Sequence, residues 1–302
     1  MDARDLAAWI GRRETAADVV TPAKAAGMAA LLDWSDSPPG AGDPLPALWH
    51  WMFFAPCPRQ SAIGPDGHPA RGDFMPPVAL PRRMFAGARM TFHDAIRVGD
   101  TITRESEIVS VEDKAGRTGR LVFVRVHHAV YGPRGLALDD EHAIVYREEA
   151  TTAAPPPPQA NLENLPWRRE IRPDPVFLFR YSALTFNAHR IHYDRDYATG
   201  VEGYPGLVVH GPLIATCLAE LARAETGGRA LATFSFRAVS PLFDTTGFTV
   251  AGGPLPDGAG CKLRYRPRHQ PCLRVPGLSW HRRHHRCHCH HNSRSIGRWP
   301  RI

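Results

Sequence analysis

Three strand-length stretches joined by two short turns constrain this chain more than any other feature. Thr101 to Val111, Leu121 to Tyr131 and Ala137 to Arg147 read as strands, and the turns at Asp113 to Gly119 and Gly132 to Gly135 join them as an antiparallel meander. Met90 to His93 reads as a strand just before it. Upstream, residues 3 to 32 read as helical, with a Pro-rich break at Ser37 to Pro46. The aromatic run Leu48 to Phe54 is expected in the core, because large aromatics dominate cores. Residues 56 to 82 are rich in Pro and Gly and carry no periodicity, so they are expected to form a long ordered loop, which in a compact domain is often functional. His127 and His128 fall mid-strand, one on each face, and take no role.

The second half of the chain carries the chemistry. Phe179 to Leu213 reads FRYSALTFNAHRIHYDRDYATGVEGYPGLVVHGPL, a strand-like apolar run followed by the polar cluster Asn187, His189, Arg190, His192 and Asp194. A Gly- and Pro-punctuated turn at Tyr204 to Gly206 then leads through Leu207 to Val209 into His210-Gly211-Pro212. Pro212 suits a first helical turn, where its missing N–H costs nothing. From there Leu213, Cys217, Leu218 and Leu221 share one face of a helix expected over Leu213 to Ala224, buried and with its N-terminus aimed at the cluster. Two histidines beside such an N-terminus point to acid–base work on a substrate whose developing oxyanion is held by backbone N–H groups.

An internal echo accompanies this asymmetry. Phe92 to Thr101 reads FHDAIRVGDT and Phe236 to Thr245 reads FRAVSPLFDT, each with Phe eight positions before an Asp-Thr pair. The echo predicts two copies of one unit, residues 1–150 and 161–260, joined by a linker over 151–160. Its Thr151 to Gln159 holds four consecutive prolines and reads as extended polyproline. The first copy lacks any Asn/His/His cluster, so it is expected to shape a pocket while the second does the chemistry.

TFNAHRIHYD, YPGLVVHGPL and FSFRAVSPLFDT resemble the MaoC-like acyl-thioester hydratases and dehydratases, as do PPVALPRRMFAGARMTFHDAIRVGDTI and GRLVFVRVHHAVY in the first half. The likeness runs to about residue 260. It is to the branch holding the mitochondrial type 2 hydroxyacyl-thioester dehydratases and the hydratases of mesaconyl-, itaconyl- and 3-methylfumaryl-CoA. The resemblance implies an α+β tandem (double) hot-dog fold, each unit an antiparallel sheet wrapped around a central helix. It also implies reversible addition of water to a 2-enoyl thioester of coenzyme A or acyl carrier protein, with no metal or redox cofactor. A hot-dog thioesterase and a non-catalytic acyl-thioester binding protein are the alternatives.

In that family the active loop usually runs Asp-x-Asn-Pro-x-His, the Asp and His handling the water and the proton. Here Asn187 falls at the Asp position, His189 at the Asn position, Arg190 at the Pro position and His192 at the His position. Asn cannot accept a proton at neutral pH, so His192 is the expected acid or base. Asn187 would orient water, and His189 or Asp194 would hold the imidazole tautomer. Gly211 would supply the thioester oxygen with a backbone N–H, and Arg190, His210 and Arg83 would meet the substrate or coenzyme A. Arg82, Arg180 and Arg237 are further candidates for a phosphate or carboxylate, which a guanidinium binds bidentately.

Charge separates the body from its end. Residues 261–302 hold ten Arg, one Lys, seven His and four of the six Cys, with no Asp or Glu; removing them leaves 26 basic against 30 acidic residues. A Cys/His tract of this kind suggests zinc, and its charge suggests nucleic acid. However, Cys287-x-Cys289 lacks the paired spacing of a structural zinc site and no aromatics interleave for stacking on bases. The third reading, translation out of frame from about residue 260, leaves the second hot-dog unit short of its last strands and the tail disordered. No apolar run approaches a membrane span, and the acidic N-terminus lacks a secretory h-region. The expectation is therefore a cytoplasmic protein that binds neither nucleic acid nor membrane; a homo-oligomer is expected as well.

Overall fold

The meander forms as its turns dictate. β3 (Thr101–Gly116), β4 (Gly119–Gly132) and β5 (Gly135–Arg147) pair antiparallel in a computed structural model that describes residues 6–116, 119–148 and 160–268. β2 (Arg82–Phe92) lies along β5 and begins well before Met90, where the sequence reading opened it. The polyproline linker and the tail from His269 onward lie outside the described residues.

The helix expected across residues 3–32 is corrected. Arg13–Val19 is a strand, β1, paired in full with β3, and only Pro22–Leu31 is an extended helix, α1. Helix propensity is a weak prior: pairing with the β3 edge overrides that of the alanines in this stretch. The helix starts where its cap allows, the Thr21 hydroxyl accepting the Lys24 N–H at 3.4 Å with Pro22 in the first turn.

The strand β7 (Thr233–Arg237) crosses from the second half of the chain to pair with β2, giving a six-stranded sheet in the order β1-β3-β4-β5-β2-β7. The two strands meet closely at Gly87, where a Cβ would come within 2.3 Å of the Phe236 carbonyl oxygen. Each copy of the sequence echo thus starts on one strand of this pair. β6 (Trp167–Ile171), β8 (Phe248–Pro254) and β9 (Cys261–Pro267) form a second, three-stranded antiparallel sheet. β9 corrects the boundary set at residue 260: it pairs with β8 over its whole length and buries Tyr265, whose hydroxyl receives the Val239 N–H at 2.9 Å.

α2 (Pro175–Thr185) replaces the strand-like reading of the run around Phe179. Asp174 caps it by accepting the Phe177 N–H at 2.8 Å, Pro175 sits in its first turn, and burial of Leu178, Tyr181 and Ser182 follows a helical period. α3 (Gly211–Glu225) is the helix foreseen, buried continuously from Leu213 to Ala222. Its one buried acid, Glu220, is held bidentately by Arg223 at 2.7–3.0 Å, which satisfies a charge that would otherwise be costly inside the core.

The main core packs α1, α2 and α3 with Leu48, Trp49, Met52, Phe53 and Phe54 against strands of both sheets, so the aromatic run is core as expected. Trp51 adds a polar link: its indole N–H donates at 2.7 Å to the buried Asp140, which His50 and His142 also contact at 3.1 and 2.8 Å. A small cluster of Ile191, Tyr197 and Val208 lies under the polar loop and anchors it. No helix among the described residues is long and apolar enough to cross a membrane.

Candidate active site

α2 ends at Phe186 in a left-handed conformation (φ 51°), which turns the chain sharply into Asn187. The Asn187 Oδ1 accepts the His189 N–H at 3.0 Å, an Asx turn, and a 3-10 turn over Arg190–His192 follows. This turn brings His192 inward against the start of α3. Its Nδ1–H donates to the Val208 carbonyl at 2.7 Å, while Val208 N–H donates back to the Ile191 carbonyl at 2.9 Å. The carbonyl therefore fixes the tautomer with the proton on Nδ1 and leaves Nε2 with a free lone pair. Burial pushes the His192 imidazole down to about 4, against the opposing pull of the Val208 bond, so at neutral pH it is an uncharged base.

Val208 thus does the work the sequence reading gave to His189 or Asp194. Asp194 is turned away: it accepts from Arg190 at 2.9 and 2.7 Å and from the Tyr197 N–H at 3.0 Å. Arg190 is committed as well, with a third bond to the Pro65 carbonyl at 3.1 Å and its guanidinium over the Tyr197 ring. Both residues hold the loop in shape and leave no free fork for a substrate, a correction to the binding role expected of Arg190. Asn187 likewise uses its carbonyl inside the turn.

His210, next to Gly211, stacks face to face on His192 with ring centroids 3.6 Å apart. Its Nε2 meets the Ser182 hydroxyl at 2.9 Å, and its Nδ1 is buried with no partner among the described residues. Burial, reinforced by His192 and His189, pushes its pKa far below the ordinary range. It is a neutral wall of the site rather than a handle for coenzyme A. Gly211 opens α3 with its amide N–H free of any protein acceptor among the described residues, and Phe85 of β2 approaches so closely that a Cβ there would sit 3.1 Å from Cδ1. Such an N–H at a helix N-terminus suits a developing oxyanion.

The first half supplies Asp66 and His68, which the sequence reading left unnamed, and Arg83, which it named. The tip of the long loop, Asp66-Gly67-His68, docks on the polar loop: the Asp66 carbonyl accepts the Arg190 N–H at 2.9 Å. Gly67 has φ +90°, and a Cβ on it would meet the Ala188 carbonyl oxygen at 1.8 Å. His68 lies against His189, ring centroids 4.1 Å apart, and His189 lies edge-on to His192 at 5.4 Å. His189 is only 7% exposed and neither ring nitrogen has a hydrogen-bond partner among the described residues; burial and the imidazoles on either side push its pKa down to about 2. Donor atoms of Asp66, His68 and His189 all lie within 4.8 Å of one another, a spacing a divalent ion could bridge. Arg83, half-buried on β2, bears electrostatically on both His68 and His189 and has no ion-pair or hydrogen-bond partner among the described residues. The aperiodic length of residues 56–82 was the one signal in the sequence that could have pointed here.

Neutral buried histidines make the fold acid-sensitive. The unfolded chain binds protons on them below about pH 6.5, whereas folded His192 binds one only near 4 and His189 near 2. In that window the unfolded state holds more protons, so stability is lost as the pH is lowered. Thermal melts should show Tm dropping between pH 7 and pH 5, ahead of carboxylate titration; a Tm that holds or rises would refute the buried neutral state.

Residues 48–244 match the family model of hydroxyacyl-thioester dehydratase type 2. A mesaconyl-C4-CoA hydratase of Chloroflexus aurantiacus is 49% identical over 255 residues, 84% of this chain and 91% of that protein. A mitochondrial hydroxyacyl-thioester dehydratase type 2 of Schizosaccharomyces pombe is 27% identical over 65% of this chain and 73% of its own length. Among solved structures, a MaoC-like dehydratase superposes with a TM-score of 0.63 at 15% identity, covering 87% of this chain and 95% of its own. A Mycobacterium tuberculosis protein described as having a double hotdog fold superposes at 0.56 with 13% identity, over 90% and 93%. The α+β architecture is that double hot-dog.

Proposed function

The chain belongs to the hydroxyacyl-thioester dehydratase type 2 family, and from that premise we propose that it is a hydro-lyase adding water reversibly across the double bond of a 2-enoyl-CoA. The observation that carries this reading is His192, its proton fixed on Nδ1 and its Nε2 without a partner among the described residues, stacked on His210, the residue before the Gly211 amide that opens α3. The water oxygen adds to Cβ as Nε2 takes its proton. The electron pair of the double bond moves onto the thioester oxygen, where the Gly211 N–H and the α3 dipole stabilise the enolate. A proton delivered to Cα completes the hydroxyacyl product, and dehydration runs the steps backward. Proton transfer and oxyanion stabilisation suffice for this chemistry, so the proposed reaction uses no metal or redox cofactor. The setting is proposed as cytoplasmic.

The acyl group proposed is a short unsaturated one with a second carboxylate, since the relative from Chloroflexus aurantiacus is named for mesaconyl-C4-CoA. Arg83 supports this class: a half-buried guanidinium with no carboxylate partner among the described residues is suited to receive one from the substrate. Hydration of mesaconyl-CoA is expected to exceed that of crotonyl-CoA in kcat/KM. Arg83→Gln should cut the mesaconyl-CoA value roughly ten- to a hundredfold, the worth of a charged hydrogen bond, while sparing crotonyl-CoA. A wild-type preference for crotonyl-CoA would remove the dicarboxylate class.

A further inference from the structure

The turn from Asn187 to His192 holds no carboxyl group and Asp194 is committed to Arg190, so a second proton-transfer group has to come from elsewhere, and the opposite side of the site offers one. Asp66 Oδ2 accepts the His68 Nδ1–H at 3.1 Å and Oδ1 accepts the His68 backbone N–H at 3.0 Å, so both ends of His68 are held by one carboxylate. The Gly64 N–H to His68 carbonyl bond, 2.7 Å, closes the turn. His68 is thereby fixed in the same tautomer as His192, with Nδ1 bonded to an oxygen and Nε2 without a partner among the described residues. His189, buried and with both nitrogens unpartnered, separates the two rings.

We propose that His68, oriented by Asp66, is the second proton-transfer group of the site. The inference rests on the hydration reading above and extends it. One proton leaves the water and one reaches Cα. His192 Nε2 takes the first, and a protonated His68, charged from solvent before substrate binds, gives the second. The His192 proton then returns to solvent, so the cycle closes without a net change in the enzyme.

The surroundings of His68 set a direction in pH. Burial pushes its imidazole below the usual range, the Asp66 carboxylate pulls it back up, and Arg83 and Arg71 push it down; the nearby imidazoles of His189 and His192 are neutral. Although burial pushes Asp66 up, its hydrogen bonds from His68 and the charge interaction with that ring prevail and keep it ionised well below the usual carboxylate range. Activity should therefore decline on the alkaline side as His68 loses its proton, and removing Asp66 should bring that decline to lower pH.

The test is mesaconyl-CoA hydration by the full chain between pH 5 and 9, for wild type, His68→Gln, Asp66→Asn and His192→Gln, with melting curves for each. His68→Gln is expected to lower kcat roughly a hundredfold with KM changed less than about threefold, within the range of general acid–base catalysis. Asp66→Asn should retain part of the rate and move the alkaline limb down by about one pH unit. If His68→Gln keeps the wild-type kcat and profile while His192→Gln collapses, this inference falls and the hydration reading stands. A wild type inactive on every enoyl-CoA, or a His192→Gln variant at full rate, overturns the hydration reading itself. Stoichiometric zinc in the purified protein, with activity lost to EDTA and restored by zinc, makes Asp66, His68 and His189 metal ligands and overturns the proton-transfer role. Should His68→Gln not fold, an unshifted alkaline limb in Asp66→Asn is enough to refute it.

Discussion

Replacing His192 by glutamine should slow water addition by at least about a hundredfold, the lower range for loss of a positioned acid or base. Glutamine approximates the volume of imidazole and can still donate to the Val208 carbonyl, so the turn over Arg190–His192 and the cluster of Ile191, Tyr197 and Val208 beneath it should survive. What it lacks is a group able to accept a proton at neutral pH. The loss should appear in kcat with little change in KM, because the interaction removed is made with the migrating proton and not with bound substrate. Loss of enoyl absorbance in a stopped assay measures it, and near-wild-type turnover with an unchanged melting curve would remove His192 from the mechanism.

Gly67→Ala should be nearly as damaging for a backbone reason. The position sits at φ +90°, where an L side chain is strained, and the new methyl would lie 1.8 Å from the Ala188 carbonyl oxygen. Backbone cannot yield as a flexible side chain does, so the tip must lift from the loop it docks on. That breaks the bond from the Arg190 N–H to the Asp66 carbonyl and moves His68 off His189. By comparison with overpacked cores the cost is about 1–3 kcal/mol, a fall in Tm of roughly 2–10 °C for a chain of this size. Activity should fall more than tenfold, since displacements of about 1 Å can cost a hundredfold in rate. A variant matching wild type in both measurements would mean that the tip is not held as described.

Elements governed by local rules were legible in the sequence, and those governed by distant partners were not. The meander, the buried helix opening at Gly211 and Pro212, and the core placement of Trp49 to Phe54 follow from turn residues, a helix-start signal and aromatic bulk. β1 was missed because its pairing with β3, some ninety residues away, decides its conformation. α2 was missed because an apolar run has no distinct period until its Asp174 cap is weighed. At the site, the family motif brought His192 forward, and the start of the buried helix brought Gly211. The tautomer of His192, however, is set by a main-chain carbonyl, which no side-chain pattern records. Asp66 and His68 come from a loop whose only sequence signal is its aperiodic length.

The docking of that loop also orders events in folding. Arg190 and the Pro65 carbonyl are 125 positions apart in sequence, and β2 meets β7 across a similar span. Contacts of this kind reward the chain only after the loop-closure entropy between them has been overcome, which places them late on the route to the native state. Hairpins such as β3–β4 can assemble from neighbouring residues. The proposed proton-transfer pair cannot exist until Asp66 and His68 have docked on the turn that carries His192, so a nascent or partly opened molecule with β3, β4 and β5 already paired has no working centre.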